Sequence, residues 1–279
     1  MSQTESKADI AKKNELIILK EIKRICDKYN IRYYLSSGTL LGAIRHDGFI
    51  PWDDDIDIEM PLKDYKFFIK VCKKELGERF FLQTFETDPN YYYPFAKVRM
   101  NNTAFIVWNS EKHHIHQGFW VDIFPVTKVS KNRYVYKFQK FFLKISKVFQ
   151  MSDYCLGMHD ILCEEIGEKN VKLAITLGRL PVSWRIALHK LFYDLALSNP
   201  EKGDDIAQIF MSFFPIPKDT CFELIEHKFE DEYYKIPKNY DIYLTDRYGD
   251  YMQLPPEEKR VTHSSVIVDE NNDYSKYVK

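Results

Sequence analysis

The stretch Phe49-Ile-Pro-Trp-Asp-Asp-Asp-Ile-Asp-Ile58 sets carboxylates at alternate positions of what reads as a β-strand. Side chains alternate faces along a strand, so Asp55 and Asp57 share one face while Ile56 and Ile58 pack on the other. Asp53 joins the acidic face if the strand begins early, and Asp54 points away. Two carboxylates at i and i+2 repel each other, and a cation between them relieves the repulsion. Ligands that are all oxygen favour a hard ion, Mg²⁺ or Mn²⁺. A third acid, Asp122, lies in Phe119-Trp-Val-Asp-Ile-Phe-Pro125, predicted as a buried strand. A lone carboxylate there is costly unless it is paired or bound to metal. The plainer alternative is a turn of solvated aspartates plus one hydrogen-bonded core Asp.

Ahead of these acids comes Ser36-Ser37-Gly38-Thr39, between a predicted strand and a predicted helix. Glycine lets the backbone approach a ligand closely, and a helix N-terminus offers unpaired N–H groups to a phosphate. Such turns are common alone. A phosphate anchor followed closely by an Asp-Ile-Asp strand is what phosphoryl-group transfer requires. Lys97 and Arg99, at i and i+2 on one face of a predicted strand, are candidates to grip a diphosphate, as is Arg45 one turn into the helix. The alternative for the first pair is a solvated sheet edge.

A quaternary ammonium is usually held by aromatic faces. Trp52, Tyr91, Tyr92, Tyr93, Trp108 and Trp120 lie near the motifs in sequence, although each ring taken singly is more readily read as core than as cage. In the tail, Tyr248-Gly249-Asp250-Tyr251 and Arg260 with His263 read as a loop folding over the site, with Asp250 and His263 as candidate substrate contacts. His113, His114 and His116, and Cys155, His159 and Cys163, lack the four ligands that zinc usually takes, so no zinc is expected.

The elements that must carry these residues follow from hydrophobic periodicity. Residues 9 to 29 read as an amphipathic helix. Strands are expected at Ile31–Leu35, Ile50–Met60, Phe80–Phe85, Phe95–Met100, Ala104–Trp108 and Phe119–Phe124, with helices at Thr39–His46 and from Pro61 to about Leu76. The expectation is an α+β catalytic core over 1–130, a mainly helical region over 131–214, and a C-terminal segment over 215–279 packing back on the core. In residues 131 to 149, Tyr134, Phe138, Phe141, Phe142, Ile145, Val148 and Phe149 form a helical stripe among six Lys and Arg, and no acid occurs between Asp122 and Asp153. That composition can lie in an anionic membrane surface and would suit a lipid-linked acceptor, which makes peripheral contact through 131–149 a candidate; the plainer reading is an ordinary core helix with a solvated basic face, or one that binds an anionic acceptor.

A net charge of −1 over 279 residues argues against general nucleic-acid binding. The polar N-terminus shows no secretory h-region, no run is long enough to span a bilayer, and five scattered cysteines suggest reduced thiols, so a cytoplasmic protein is expected.

The sequences SSGTLLGAIRHDGFIPWDDDIDI, FAKVRMNNT, GFWVDIFPV and NYDIYLTDRYGDYMQLPPEEKR together resemble the LicD family, over about Tyr33 to Arg260 and only loosely across 130–215. The resemblance implies a nucleotidyltransferase-type mixed sheet flanked by helices. It implies that Ser37, Gly38 and Thr39 hold phosphate and that Asp55, Asp57 and Asp122 form an acid triad, with Thr39 where the pattern has serine. Bacterial members mostly transfer phosphocholine from CDP-choline to teichoic acid, lipopolysaccharide or capsule precursors. The animal relatives fukutin and fukutin-related protein use CDP-ribitol. The expected partners are a CDP-alcohol donor and a glycan or lipid-linked glycan acceptor; the runner-up enzyme moves glycerol or ribitol phosphate. Nucleotidylyl transfer and a metal-free glycan-binding module are rival readings.

Overall fold

The computed structural model describes residues 6–107, 110, 113–130, 132–152, 167–197, 205–208, 215–217, 222–260 and 265–278. Among them the chain builds a mixed α/β fold around one mixed sheet. Helix α1 (Lys7–Tyr29) begins at a capping box in which Ser6 and Asp9 each satisfy the other's backbone N–H, and it ends at Asn30 in the left-handed conformation. Strand β1 (Tyr34–Leu35) leads into α2 (Ser37–His46), then β2 (Asp57–Pro61) into α3 (Leu62–Glu75). Strands β3 (Phe80–Gln83), β4 (Ala96–Met100) and β5 (Ala104–Val107) follow, and then the long β6 (Trp120–Val129).

The principal sheet runs β1-β2-β6-β4-β3. Only β2 and β6 pair in parallel; the other pairs are antiparallel. Alternation turns Ile58, Val98 and Ile123 to one face, where they join Ile18, Leu19 and Ile22 of α1 and Phe68 and Val71 of α3 in the main core. The other face carries a row across four strands: Asp57, Asp122, Lys97 and Gln83 are register neighbours.

Helices α4 (Arg133–Met151), α5 (Glu168–Leu177) and α6 (Val182–Leu197) form an annex, in which the Phe192 ring stacks on Phe142 and Phe149, each at 5.7 Å. Within the expected helical region the chain also returns to the sheet, as β7 (Asp205–Gln208) beside the far half of β6, followed by β8 (Pro215–Pro217). The tail supplies the hairpin β9 (Leu224–Phe229) and β10 (Glu232–Pro237), helix α7 (Tyr240–Tyr248), and β11 (Ser265–Asp269), which pairs with β5.

One expected strand is much shorter than its hydrophobic pattern. The pattern predicts an extended chain over Ile50–Met60, yet ladder pairing begins only at Asp57. Pro51 has no N–H to give, Asp53 N closes a turn on Ile50 O at 2.9 Å, and the neighbouring β1 is two residues long. The acids before Asp57 therefore sit on a loop across the end of the sheet.

Candidate active site

Parallel pairing sets Asp57 of β2 directly beside Asp122 of β6, and Asp122 N donates to Ile56 O at 2.9 Å. On the far side of Asp122 stands Lys97 of β4, whose Nζ lies 2.5 Å from Asp122 Oδ1 in a buried ion pair. Burial raises the Asp57 carboxyl well above the ordinary range; Asp55, Asp122 and Asp53 push it further, and Lys97 opposes them. Negative charge thus accumulates at this end of the sheet beyond what Lys97 offsets. The donor set is all oxygen, which fits a hard divalent cation. Among the described residues, no three carboxylate, imidazole or thiol side chains are already drawn up around one ion position.

The turn before α2 is tied to the acid strand. Ser36 N donates to Asp57 O at 3.0 Å, and Asp57 N donates to Thr39 Oγ1 at 2.8 Å. Ser37 takes a left-handed φ of 50°, an uncommon conformation for serine, and its N–H donates to the Tyr243 hydroxyl at 3.2 Å. Gly38 makes room for the acidic loop: a Cβ there would stand 2.7 Å from Asp53 Oδ2. The Ser36 hydroxyl is buried without a hydrogen-bond partner.

Behind the turn lies a polar cluster that the motif reading did not include. Glu59, on the same face as Asp57, accepts from Tyr34 Oη at 2.7 Å and Tyr243 Oη at 3.0 Å. Arg247 donates to Tyr243 Oη at 3.1 Å. Tyr243 on α7 thereby connects β2, the start of α2 and the C-terminal segment. The signal for Glu59 was present in the sequence, where Asp55-Ile-Asp57-Ile-Glu59 carries the acidic alternation one step further. Glu15 on α1 was also missed. It is fully buried with neither carboxyl oxygen hydrogen-bonded, and burial, then Asp55, Asp54, Asp122 and Asp53, raise it well above the usual carboxylate range.

Beside α2 opens a cleft of about 720 Å³. Arg45, Trp52, Asp250 and Arg260 line it together, joining residues from the helix, the acidic loop and the tail. Both guanidinium groups lie over the Trp52 ring, Arg260 at 5.0 Å and Arg45 at 6.0 Å. Burial and then the neighbouring Arg260 charge lower the Arg45 pKa. Tyr248 also lines the cleft; burial of its hydroxyl pushes it up to about 12, against Arg247 and with Asp57, Asp53 and Asp55, while part of the ring stays exposed. Trp52 on the cleft wall is the chain neighbour of Asp53, so the cleft adjoins the start of the acidic loop.

Lys97 and Arg99 sit deeper. Each is 5% exposed, and Arg99 donates to Gln83 Oε1 at 2.7 Å and Gly118 O at 2.8 Å. The Trp120 ring lies under both cations, and Lys97 also lies over Tyr93 at 5.3 Å. Tyr91 and Tyr92 are buried in a small cluster with Ile115. The rings considered for a quaternary ammonium thus mostly serve the chain's own cations or its core. Trp108, His263 and the Cys155, His159, Cys163 set lie outside the described residues. His116 hydrogen-bonds Asn101 and the Gly118 N–H, and burial, then Arg99, lowers it to about 3.

A family model described as "LicD/FKTN/FKRP, nucleotidyltransferase domain" matches residues 30–162, spanning the turn and all three acids. The lipopolysaccharide cholinephosphotransferase LicD of Haemophilus influenzae is 30% identical over 260 residues, covering 89% of this chain and 92% of that protein. The ribitol 5-phosphate transferases FKRP of human and mouse are 30% identical over 100 residues, 34% of this chain and 18% of theirs. An uncharacterized Rickettsia typhi protein, RT0683, is 44% identical over 64 residues, 22% of this chain and 21% of its own. The near full-length match, together with the site geometry, places the chain in the LicD family, whose named members are phosphotransferases.

Proposed function

We propose that the protein is a divalent-metal-dependent transferase of nucleotidyltransferase-type fold that moves phosphocholine from CDP-choline to a sugar hydroxyl of a cell-surface glycan precursor, releasing CMP. The observation that carries this reading is the register of β2 against β6, which sets Asp57 beside Asp122 next to a turn pinned to the same strand by Thr39. Asp55, Asp57 and Asp122 would hold Mg²⁺ or Mn²⁺, which supplies charge neutralisation at the donor's diphosphate when bound.

The chain's own groups have separable roles in this reading. Arg45 and Arg260, paired over Trp52 in the open cleft, neutralise phosphate charge. Lys97 and Arg99 act from beneath as fixed positive charge, Lys97 directly on Asp122. The Ser37–Gly38–Thr39 turn sets the donor's distance from the acids. In the alternative assignment Asp122, instead of completing the metal site, takes the proton of the acceptor hydroxyl as that oxygen attacks the β-phosphorus and CMP leaves in line. Asp250, which lines the cleft, hydrogen-bonds a hydroxylated substrate in this reading.

The choice of phosphocholine rests on the Haemophilus relative, which matches nearly the whole chain. Glycerol or ribitol phosphate from the corresponding CDP donor is the second reading, favoured by Trp52 already facing two guanidinium groups. The acceptor is a teichoic acid, lipopolysaccharide or capsule precursor, and the workplace is the cytoplasm at the inner face of the plasma membrane. Incubation with CDP-choline, CDP-glycerol or CDP-ribitol, Mg²⁺ and precursor glycans tests this. CMP release with CDP-choline is expected; pyrophosphate release, or product only with a polyol donor, rejects the first reading.

A further inference from the structure

We propose that the annex helix α4 docks the protein on an anionic lipid bilayer, through an exposed aromatic stripe flanked by a basic one. The proposal takes from the functional reading only the reason for a membrane; the surface itself stands on geometry. At 3.6 residues per turn, Tyr134, Phe138 and Phe141 fall within an arc of about 60°. They are 82%, 46% and 58% exposed. About a quarter of the way round the helix, Arg133, Lys137, Lys140 and Lys144 fill an arc of similar width. All are exposed, and none forms an ion pair with a described residue.

The remaining side of α4 is committed inward. Phe142 and Phe149 stack on Phe192, and Ser146 Oγ lies 2.7 Å from His189 Nδ1. Phe138 and Phe141 touch the inward Phe142, at 4.4 and 5.3 Å between ring centroids, and present about half of their surface to solvent from a helix already seated on its other side. Large rings beside lysines that make no ion pair among the described residues complement the headgroup region of an anionic leaflet, where rings enter the interface and ammonium groups meet phosphates. A soluble polyanion would use the lysines but leave the rings in water. A protein partner would have to bring carboxylates for every cation. No described helix is long and apolar enough to cross a membrane, so the contact is parallel to the surface.

The test is co-sedimentation of the full chain with vesicles of phosphatidylcholine alone or mixed equally with phosphatidylglycerol. The wild type should pellet with the mixed vesicles and not with the neutral ones, and lose binding in 0.5 M NaCl as the charges are screened. Each surface lysine contributes about fivefold near an anionic leaflet, so Lys140→Glu with Lys144→Glu should weaken binding at least about 25-fold. Phe138→Ser with Phe141→Ser should also release the protein. Both double variants should keep the wild-type circular dichroism melt and release CMP from CDP-choline at the wild-type rate when the acceptor is water-soluble. Wild type left in the supernatant with anionic vesicles, or variants that pellet like wild type, overturn the proposal. So does a wild-type dimer that the phenylalanine variant converts to monomer without altering vesicle binding, and so does equal binding to soluble polyphosphate that the phenylalanine variant leaves unchanged. Vesicle binding without any CMP release would instead count against the transferase reading and leave the surface intact.

Discussion

Asp57 and Glu15 carry the two most displaced carboxyls near the site, for different reasons. Asp57 is pressed by burial and three other acids on the substrate side, whereas Glu15 sits beneath the acidic loop with no hydrogen bond to either oxygen. In the transferase reading Asp57→Asn should lower CMP release by about 10²- to 10³-fold, the order expected when a principal electrostatic group is lost. The fold should survive, since the substitution also removes a repelled charge; a thermal melt checks this. Glu15→Gln should separate stability from pH. The folded carboxyl has a raised pKa, so above the ordinary Glu range the native state binds more protons than the unfolded one. Stability then falls as pH rises from that range toward the folded pKa, by about 1.4 kcal/mol per pH unit for one proton. The variant lacks this loss, so its melting temperature should gain on the wild type between pH 5 and pH 8. A constant difference across that range would show that Glu15 is not protonated in the fold.

At the scale of elements, the site depends on how α2 is fastened to β2. Thr39 Oγ1 accepts the Asp57 N–H, and Tyr243 ties the Ser37 N–H to Glu59. Thr39→Val should cost about 1–3 kcal/mol, the penalty for leaving a buried N–H unpaired, and should depress turnover as Asp57 shifts; Thr39→Ser should restore both. Gly38→Ala drives a methyl to 2.7 Å from Asp53 Oδ2 and should raise the donor KM more than it alters the melt. This is also where the sequence was most and least readable. The alternation of Asp55 and Asp57 with Ile56 and Ile58, and the glycine turn before a helix, are local patterns, so the acids and the turn were legible. That Asp57 pairs with Asp122 depends on a parallel β2–β6 contact, which no local pattern encodes. The strand at Ile50–Met60 was overextended because hydrophobic alternation does not report a missing partner. Glu59 is legible as the next step of the acidic alternation, but its partner Tyr243 is not, because their pairing joins positions 184 residues apart.

Across the whole molecule, Asp57 and Asp122 stand at the end of the sheet beside the buried Lys97, and the cleft next to the acidic loop carries Arg45 and Arg260 together with Asp250 and Glu257. A diphosphate bridging a cation and two guanidinium groups would fit that arrangement. Arg260→Ala should therefore weaken CDP binding about tenfold or more by calorimetry, the loss expected for a charge-assisted hydrogen bond, while Arg99→Ala should mainly lower stability because its donors serve Gln83 and Gly118 O. Arg260 came from a motif rather than a periodic element, and nothing in the sequence showed it sharing one ring with Arg45. The helical annex was legible as helices, but its amphipathic stripe divides into an inward and an outward part only once Phe192 is placed.

The most direct test of the central claim is CMP release from CDP-choline, with Mg²⁺ and a precursor glycan, by the wild type and by Asp57→Asn and Asp122→Asn. The account predicts turnover in the wild type that depends on the divalent ion and disappears in both folded variants. Undiminished turnover in either variant, or in wild type stripped of divalent ions by chelation, would contradict it.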